Sequence, residues 1–184
     1  MPYCEINAID LYYYYKATKR GINCRALAIM LNEMYLSLGF KSRYVTCLPE
    51  DAGDSDCHVI NSVYSETLKK WIWMDPTFNA YLKDENNNLL SIMDVREKII
   101  NGSPIILNED ANWNNRQSWN KKQYIDSYMA KNLFWLECPA SSSFNIESPY
   151  RSSSATYIAL VPDGFKPWNS SKNTSDVNYF WGGW

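Results

Sequence analysis

Three residues in the first half of the chain have the types and the order that thiol chemistry needs. The sequence of 184 residues contains one histidine, His58; Cys24 precedes it by 34 residues, and Asp75 follows it by 17. A nearby imidazole can take the proton of a thiol and give a thiolate–imidazolium pair. A carboxylate on the other ring nitrogen fixes the tautomer and stabilises the imidazolium. Cys24, His58 and Asp75 are therefore candidate catalytic residues.

The composition excludes several other kinds of site and partner. A single histidine excludes zinc sites built from two histidines of one chain, the HExxH proteases among them. The net charge of −2 gives no electrostatic argument for a nucleic-acid partner or an anionic membrane. No apolar run reaches the roughly 18 residues of a membrane span, and residues 1–5 do not resemble a leader. Because a leader or an upstream segment could be absent from this sequence, the localisation stays open.

The five cysteines do not have the pattern of a secreted disulfide framework, because their number is odd and no CxxC motif occurs. Cys47 and Cys57 could close a disulfide across a hairpin. Free cysteines are, however, often small buried hydrophobic residues, and packed thiols are favoured for both.

Two helices are predicted in the first forty residues. Asn7 is a candidate cap for a helix over residues 7–20, and the tyrosines at 12–15 are expected to pack around it. Asn23 and Gly39 are typical start and stop residues for a second helix. Its predicted buried stripe follows a helical period and comprises Leu27, Met30, Leu31, Met34 and Leu38. Cys24 lies in its first turn, where unpaired N–H groups and the helix dipole lower the pKa of a thiol.

The next three elements are predicted to be strands, over residues 43–48, 57–64 and 70–75. Their short connections imply an antiparallel sheet. With a hairpin turn centred near residue 67, His58 and Asp75 come nearly opposite each other on neighbouring strands. Trp71 and Trp73 share the strand face of Asp75 by period two. They are either core residues or substrate-binding walls that keep water from the ion pair, and both readings stay open.

Residues 81–184 add further elements. A hairpin over residues 81–90 is followed by a helix that opens on a capping box at Ser91 and stops at Gly102. Residues 121–132 are predicted to be helical, with Tyr124, Ile125, Tyr128 and Met129 on one side. Late strands are expected near 133–137 and 156–161. We expect one domain over residues 1–184, with residues 163–184 as an irregular aromatic tail that docks on it.

A resemblance to a known family adds to these patterns. The sequences GINCRALA at 21–28 and LGFKSRYV at 38–45, then His58, then WMDPT at 73–77, are similar to the transglutaminase-like superfamily core. That family has a G-x-x-C helix start, an L-G-(apolar)-x-x-R-x-V exit into the first strand, a histidine strand and a W-x-D-P-T end. The resemblance covers roughly residues 21–80, and its combined motifs are specific.

The resemblance implies a papain-like α+β fold, in which a buried helix carrying the cysteine packs on an antiparallel β-sheet. It implies Cys24 as nucleophile, His58 as general base and acid, and Asp75 as orienting carboxylate. The expected function is thiol-dependent acyl transfer on a protein or peptide substrate through a thioester, as a cysteine protease or amidase or as a transglutaminase-like acyltransferase. Hydrolysis is preferred over cross-linking, and no cofactor or metal is expected. The alternative is a catalytically silent binding or scaffold domain.

The chain departs from the family pattern in two respects. The strand positions two and four residues after His58, often an aromatic and an acid in the family, are Ile60 and Ser62. The oxyanion hole of such enzymes usually includes an upstream Trp or Gln side chain, and residues 1–23 contain neither. Asn7 could substitute, the donor could come from elsewhere in the chain, or an upstream segment could supply it.

An acidic string precedes His58. Asp51, Asp54, Asp56 and His58 form the pattern D-x-x-D-x-D-x-H, which could bind a hard cation. The string lacks the glycine and the terminal bidentate glutamate of an EF-hand loop, so a solvated acidic loop is favoured. If this loop overhangs the candidate site, it would favour basic substrates or amine acceptors.

Overall fold

The structure is a computed structural model that describes residues 4–148, 155–168 and 172–182. Within these ranges the chain combines α-helices with a mostly antiparallel sheet, as the α+β prediction requires. The helices are α1 (Ala8–Thr18), α2 (Cys24–Ser37), α3 (Ile92–Ile100), a π-helix (Lys122–Met129), α4 (Ala130–Asn132) and α5 (Val177–Trp181).

The strands follow the predicted order in the first half of the chain. They are β1 (Ser42–Leu48), β2 (His58–Ser65), β3 (Lys70–Met74), β4 (Leu82–Lys83), β5 (Ile106–Leu107), β6 (Asn112–Trp113), β7 (Gln117–Ser118), β8 (Trp135–Pro139), β9 (Tyr157–Leu160) and β10 (Lys172–Thr174). The main sheet has the order β10-β9-β8-β1-β2-β3. All its neighbours are antiparallel except the parallel pair β9 and β10. The predicted antiparallel sheet is confirmed.

The two faces of β2 pack against different layers, because side chains alternate along a strand. Val59 belongs to a small cluster with Ala28 and Ile29 of α2, and the Asn61 amide donates to the Ala28 carbonyl at 2.9 Å. Ile60 belongs to the large core on the other face. Helix α2 thus lies on one face of the sheet, and residues 73–138 supply most of the core on the other.

The predicted ends of α2 are confirmed, but its predicted buried stripe is wrong. The Asn23 side chain accepts from the Ala26 N–H at 2.9 Å, and Gly39 has a φ of +83°. Met34 and Leu38 are 51% and 73% exposed. The buried positions of the helix are Ala26, Ala28, Ile29, Asn32 and Glu33.

The physical reason is that small side chains face the sheet, and that the buried Glu33 is hydrogen-bonded. Ala28 packs directly on β2. The Glu33 carboxylate accepts the N–H of Ala8 at 2.6 Å and that of Asn145 at 2.7 Å. Burial of Glu33 is therefore compensated by hydrogen bonds, which a count of apolar residues does not detect.

Helix α1 has the predicted cap but not the predicted packing of its tyrosines. The Asn7 side chain accepts from the Asp10 N–H at 2.9 Å. Tyr12, Tyr13 and Tyr15 are about half exposed, at 46%, 65% and 50%, so these three do not form a packed layer. The buried apolar residue of this helix is Leu11.

Residues 163–184 are more regular than predicted where they are described. Strand β10 pairs with β9, and α5 begins at an Asp176 cap that accepts from the N–H groups of Asn178 and Tyr179. Phe180 is 0% exposed and lies in the large core, and the Arg43 guanidinium donates to its carbonyl. Residues 169–171 and 183–184 of the predicted tail lie outside the described residues.

All five cysteines are free thiols. Cys47 and Cys138 are buried in the large core, which confirms the packed-thiol interpretation for Cys47 and excludes its disulfide with Cys57 in this structure. In the described part of the chain, each helix is too short or too polar to cross a bilayer.

Candidate active site

His58 and Asp75 form a buried contact at the start of β2. The Nε2 atom of His58 lies 2.7 Å from Oδ2 of Asp75, and the two side chains are 1% and 0% exposed. Burial lowers the pKa of His58, but the charge and hydrogen bond of Asp75, followed by those of Cys24, raise it overall to about 10. His58 therefore holds a second proton near neutral pH.

Cys24 is the first residue of α2, and its thiol interacts with the other side of the His58 ring. Since Nε2 faces Asp75, Nδ1 is the nitrogen that remains for Cys24. Burial raises the pKa of Cys24, but the hydrogen bond and charge of His58 and the backbone N–H groups of Val59 and Arg25 bring it below its ordinary value of 9.0. Cys24 and His58 thus favour the thiolate–imidazolium form.

Asp75 accepts four hydrogen bonds, which fix its orientation. Oδ1 accepts the backbone N–H groups of Thr77 and Phe78 at 2.9 and 3.2 Å. Oδ2 accepts from His58 and also from the hydroxyl of Tyr124, which lies 2.6 Å away. Tyr124 is 0% exposed, and its oxygen in turn accepts from the Trp73 indole at 3.1 Å. The carboxylate cannot turn away from the imidazole without breaking several of these bonds.

Aromatic rings enclose the imidazole on the side of the large core. Phe78 and Tyr128 both meet the His58 ring edge to face, with centroids 5.4 and 5.3 Å away. The Tyr128 hydroxyl lies 3.4 Å from Nδ1, the ring nitrogen on the side of Cys24. The ring of His58 is thereby held in one orientation with one nitrogen toward the carboxylate and the other toward the thiol.

The cysteine at a helix start, the histidine strand and the aspartate at the end of the next strand all lie in one segment of the chain. Residues 7–76 match the family model of the transglutaminase-like superfamily. The match confirms the resemblance seen in the sequence. No curated protein and no solved structure matched the chain.

The transglutaminase-like segment, residues 7–76, contains all three candidate catalytic residues. The mixed fold with its mostly antiparallel sheet is consistent with a transglutaminase-like core, and the superfamily indicates a cysteine-based enzymatic fold. Tyr124 and Tyr128 lie on the π-helix, well outside this segment. The helical face that carries both tyrosines was predicted, but not their contacts with Asp75 and His58.

The register predicted from a turn centred at residue 67 differs by one residue from the observed one. Asn61 is the partner of Met74, so continuing the register places Ile60, not His58, opposite Asp75. His58 and Ile60 share one face of β2, and side chains of diagonal neighbours can still meet across a strand pair. The side-chain contact predicted from the hairpin therefore exists, although it is diagonal.

The two tryptophans proposed as substrate walls have different surroundings. Trp73 is 0% exposed and packs in the large core, so in this conformation it offers no surface to a substrate. Trp71 is partly exposed and packs against Tyr64 and Trp181, with ring centroids 5.5 and 5.7 Å away. These contacts support a core role for Trp73. A substrate-binding role for Trp71 stays a prediction.

The acidic string before His58 is a surface loop paired with a lysine. Lys131 contacts the carboxylates of Asp54 and Asp56 at 2.7 and 3.1 Å, whereas His58 faces Asp75. Among the described residues, no group of three or more His, Cys, Asp or Glu side chains is placed to hold a metal ion. The favoured interpretation as a solvated acidic loop agrees with this arrangement.

Asn7 is not free to serve as an oxyanion donor. Its Nδ2 donates to Asp10 at 2.7 Å and to Asn145 at 3.2 Å, while its oxygen caps α1. The residue is 2% exposed. The structure therefore does not support Asn7 as the oxyanion donor, which was one of the predicted alternatives.

Proposed function

We propose that this protein is a thiol-dependent acyl-transfer enzyme that acts on amide or peptide bonds of a protein or peptide substrate. The observation that carries the proposal is the buried 2.7 Å contact of His58 with Asp75 beside a cysteine at a helix start. A buried ion pair of this kind is costly to maintain and is typical of sites that need shifted pKa values. The family match of residues 7–76 supports the proposal, because it indicates a cysteine-based enzymatic fold.

In the first half-reaction the Cys24 thiolate attacks the carbonyl carbon of the amide. The S–C bond forms while the carbonyl π pair moves to oxygen, which gives a tetrahedral intermediate. Its collapse breaks the C–N bond, and the proton on Nδ1 of His58 passes to the leaving amine. Asp75 stabilises the imidazolium before this transfer and holds the ring in place through it.

In the second half-reaction the neutral His58 takes a proton from the acyl acceptor, which attacks the thioester and releases Cys24. Water as acceptor completes a hydrolysis, whereas a primary amine completes a transamidation. We propose hydrolysis, because water requires no binding site for a second substrate. Protease or amidase activity is then the expected outcome.

The experiment is a thioester trap with a library of glutamine-containing peptides, read by mass spectrometry with and without methylamine. The wild-type protein should form an adduct on Cys24 and release the free acid as the main product. Cys24→Ala removes the nucleophile and serves as the inactive control. A methylamide as the main product would show transamidation instead of hydrolysis. The absence of any adduct would favour the catalytically silent scaffold domain.

A further inference from the structure

The proposed reaction needs hydrogen-bond donors for the oxyanion of the tetrahedral intermediate. The backbone N–H of Cys24 is one candidate, because the first N–H groups of a helix have no acceptor within the helix. Residues 1–23 contain no Trp or Gln, and Asn7 is used in capping α1. Within residues 1–184, a second side-chain donor is therefore to be sought after Cys24.

We propose that the hydroxyl of Tyr128 is this second oxyanion donor. Tyr128 lies on the π-helix, and its hydroxyl is 3.4 Å from Nδ1 of His58, the nitrogen that serves Cys24. The ring is packed between Phe78 and Trp119, with centroids 5.6 and 6.2 Å away. A phenol held in this way is preorganised at the reacting atoms, which is what oxyanion stabilisation requires.

The protonation state of His58 decides where the Tyr128 proton can point. In the imidazolium, Nε2–H donates to Asp75 and Nδ1–H donates to Cys24, so neither nitrogen can accept. The Tyr128 hydroxyl then has no acceptor at His58, and it makes no other hydrogen bond among the described residues. Its proton is free to donate to an oxygen that develops charge beside the sulfur.

The surroundings of Tyr128 also keep its proton in place. Burial, followed by the negative charges of Asp56 and Cys24, raises the pKa of the phenol. The hydroxyl therefore stays protonated as the intermediate forms and acts only as a hydrogen-bond donor. No proton leaves Tyr128: the S–C bond forms, the carbonyl pair moves to oxygen, and that oxygen accepts the Tyr128 O–H until the intermediate collapses.

The role of Tyr128 rests on the proposed function, and two reactions of the same thiol separate the two claims. Acylation of Cys24 by p-nitrophenyl acetate passes through an oxyanion, whereas alkylation by iodoacetamide does not. Tyr128→Phe should slow acylation by roughly 100- to 1000-fold, the usual loss for one oxyanion donor. Alkylation of Cys24 and its pH profile should not change. Tyr64→Phe, a tyrosine that packs on Trp71, is the matched control and should leave both rates unchanged.

Each outcome decides one of the two claims. Unchanged acylation in Tyr128→Phe overturns the donor role. Acylation and alkylation that fall together also overturn it, since Tyr128 would then act by positioning His58 or by maintaining the fold. A wild-type protein that acylates no faster than Cys24→Ala overturns the proposed function itself, and the donor role with it.

Discussion

At the scale of single residues, the pKa values of Cys24 and His58 are shifted in opposite directions, so their contributions to stability change oppositely with pH. His58 has a raised pKa in the folded state, so its contribution to stability is complete below its unfolded pKa of 6.5 and is lost as pH rises through about 10. Cys24 has a lowered pKa, so its contribution is complete above 9.0 and is lost as pH falls through its folded pKa. Where pH lies above both 6.5 and the folded pKa of Cys24 and below 9.0, the two slopes oppose each other.

This cancellation gives a prediction for unfolding free energies measured by urea titration. The unfolding free energy of wild type minus that of His58→Gln should be level where pH lies above both 6.5 and the folded pKa of Cys24 and below 9.0. It should be smaller on either side of this window. When both proteins also carry Cys24→Ala, only His58 contributes a pH dependence. The difference in unfolding free energy between them should then fall steadily as pH rises above 6.5. Equal pH slopes in the two backgrounds would show that the two groups do not exchange a proton.

At the scale of elements, the start of α2 holds the nucleophile. Asn23 caps the helix, and the N–H of Arg25 in its first turn contacts the Cys24 sulfur. Asn23→Ala should cost about 0.5–2 kcal/mol of stability. It should also raise the pKa of Cys24, because a frayed first turn presents fewer N–H groups to the thiolate. Denaturant titration and the pH dependence of alkylation measure the two effects.

The matched control is the cap of α3. The Ser91 side chain accepts from the Asp94 N–H at 3.0 Å, so Ser91→Ala should cost a similar amount of stability. Since α3 does not present a group to Cys24, the pH dependence of Cys24 alkylation in Ser91→Ala should equal that of wild type. If both variants shift the profile equally, general destabilisation and not the helix start sets the reactivity of Cys24.

The elements also show which features a sequence can predict. Caps depend on residues a few positions apart, and the caps of α1, α2 and α3 were all predicted from such patterns. Burial depends on what covers a face, and the polar Asn32 and Glu33 are buried because other elements lie over them. The hairpin register differs from the predicted one by a single residue, because the exact geometry of the turn between β2 and β3 sets it.

At the scale of the whole molecule, the candidate site joins distant parts of the chain. Cys24, His58 and Asp75 could be found from their order and from motifs in residues 21–80. The roles of Tyr124 and Tyr128 could not, because their partners lie 49 and 70 residues away in sequence. Only the packing of the π-helix against the large core brings these hydroxyls to Asp75 and His58.

The end of the described chain is also part of this core. Phe180 is fully buried, whereas the neighbouring Tyr179 is 42% exposed. Phe180→Ala should therefore cost about 3–5 kcal/mol in unfolding free energy. Tyr179→Ala is the matched control and should stay within roughly 0.5 kcal/mol of wild type. Equal small losses for both would contradict the proposal that the tail docks on a single domain.

The central claim, a thiolate–imidazolium pair held by Asp75, is tested most directly by the pH dependence of Cys24 alkylation with iodoacetamide, read by peptide mass mapping. We predict that the apparent pKa for alkylation of Cys24 lies below 9.0, with a further change near pH 10 as His58 loses its proton. Asp75→Asn should move the thiol back toward ordinary behaviour. A wild-type profile that resembles an ordinary thiol and does not change in Asp75→Asn or His58→Gln would contradict the claim.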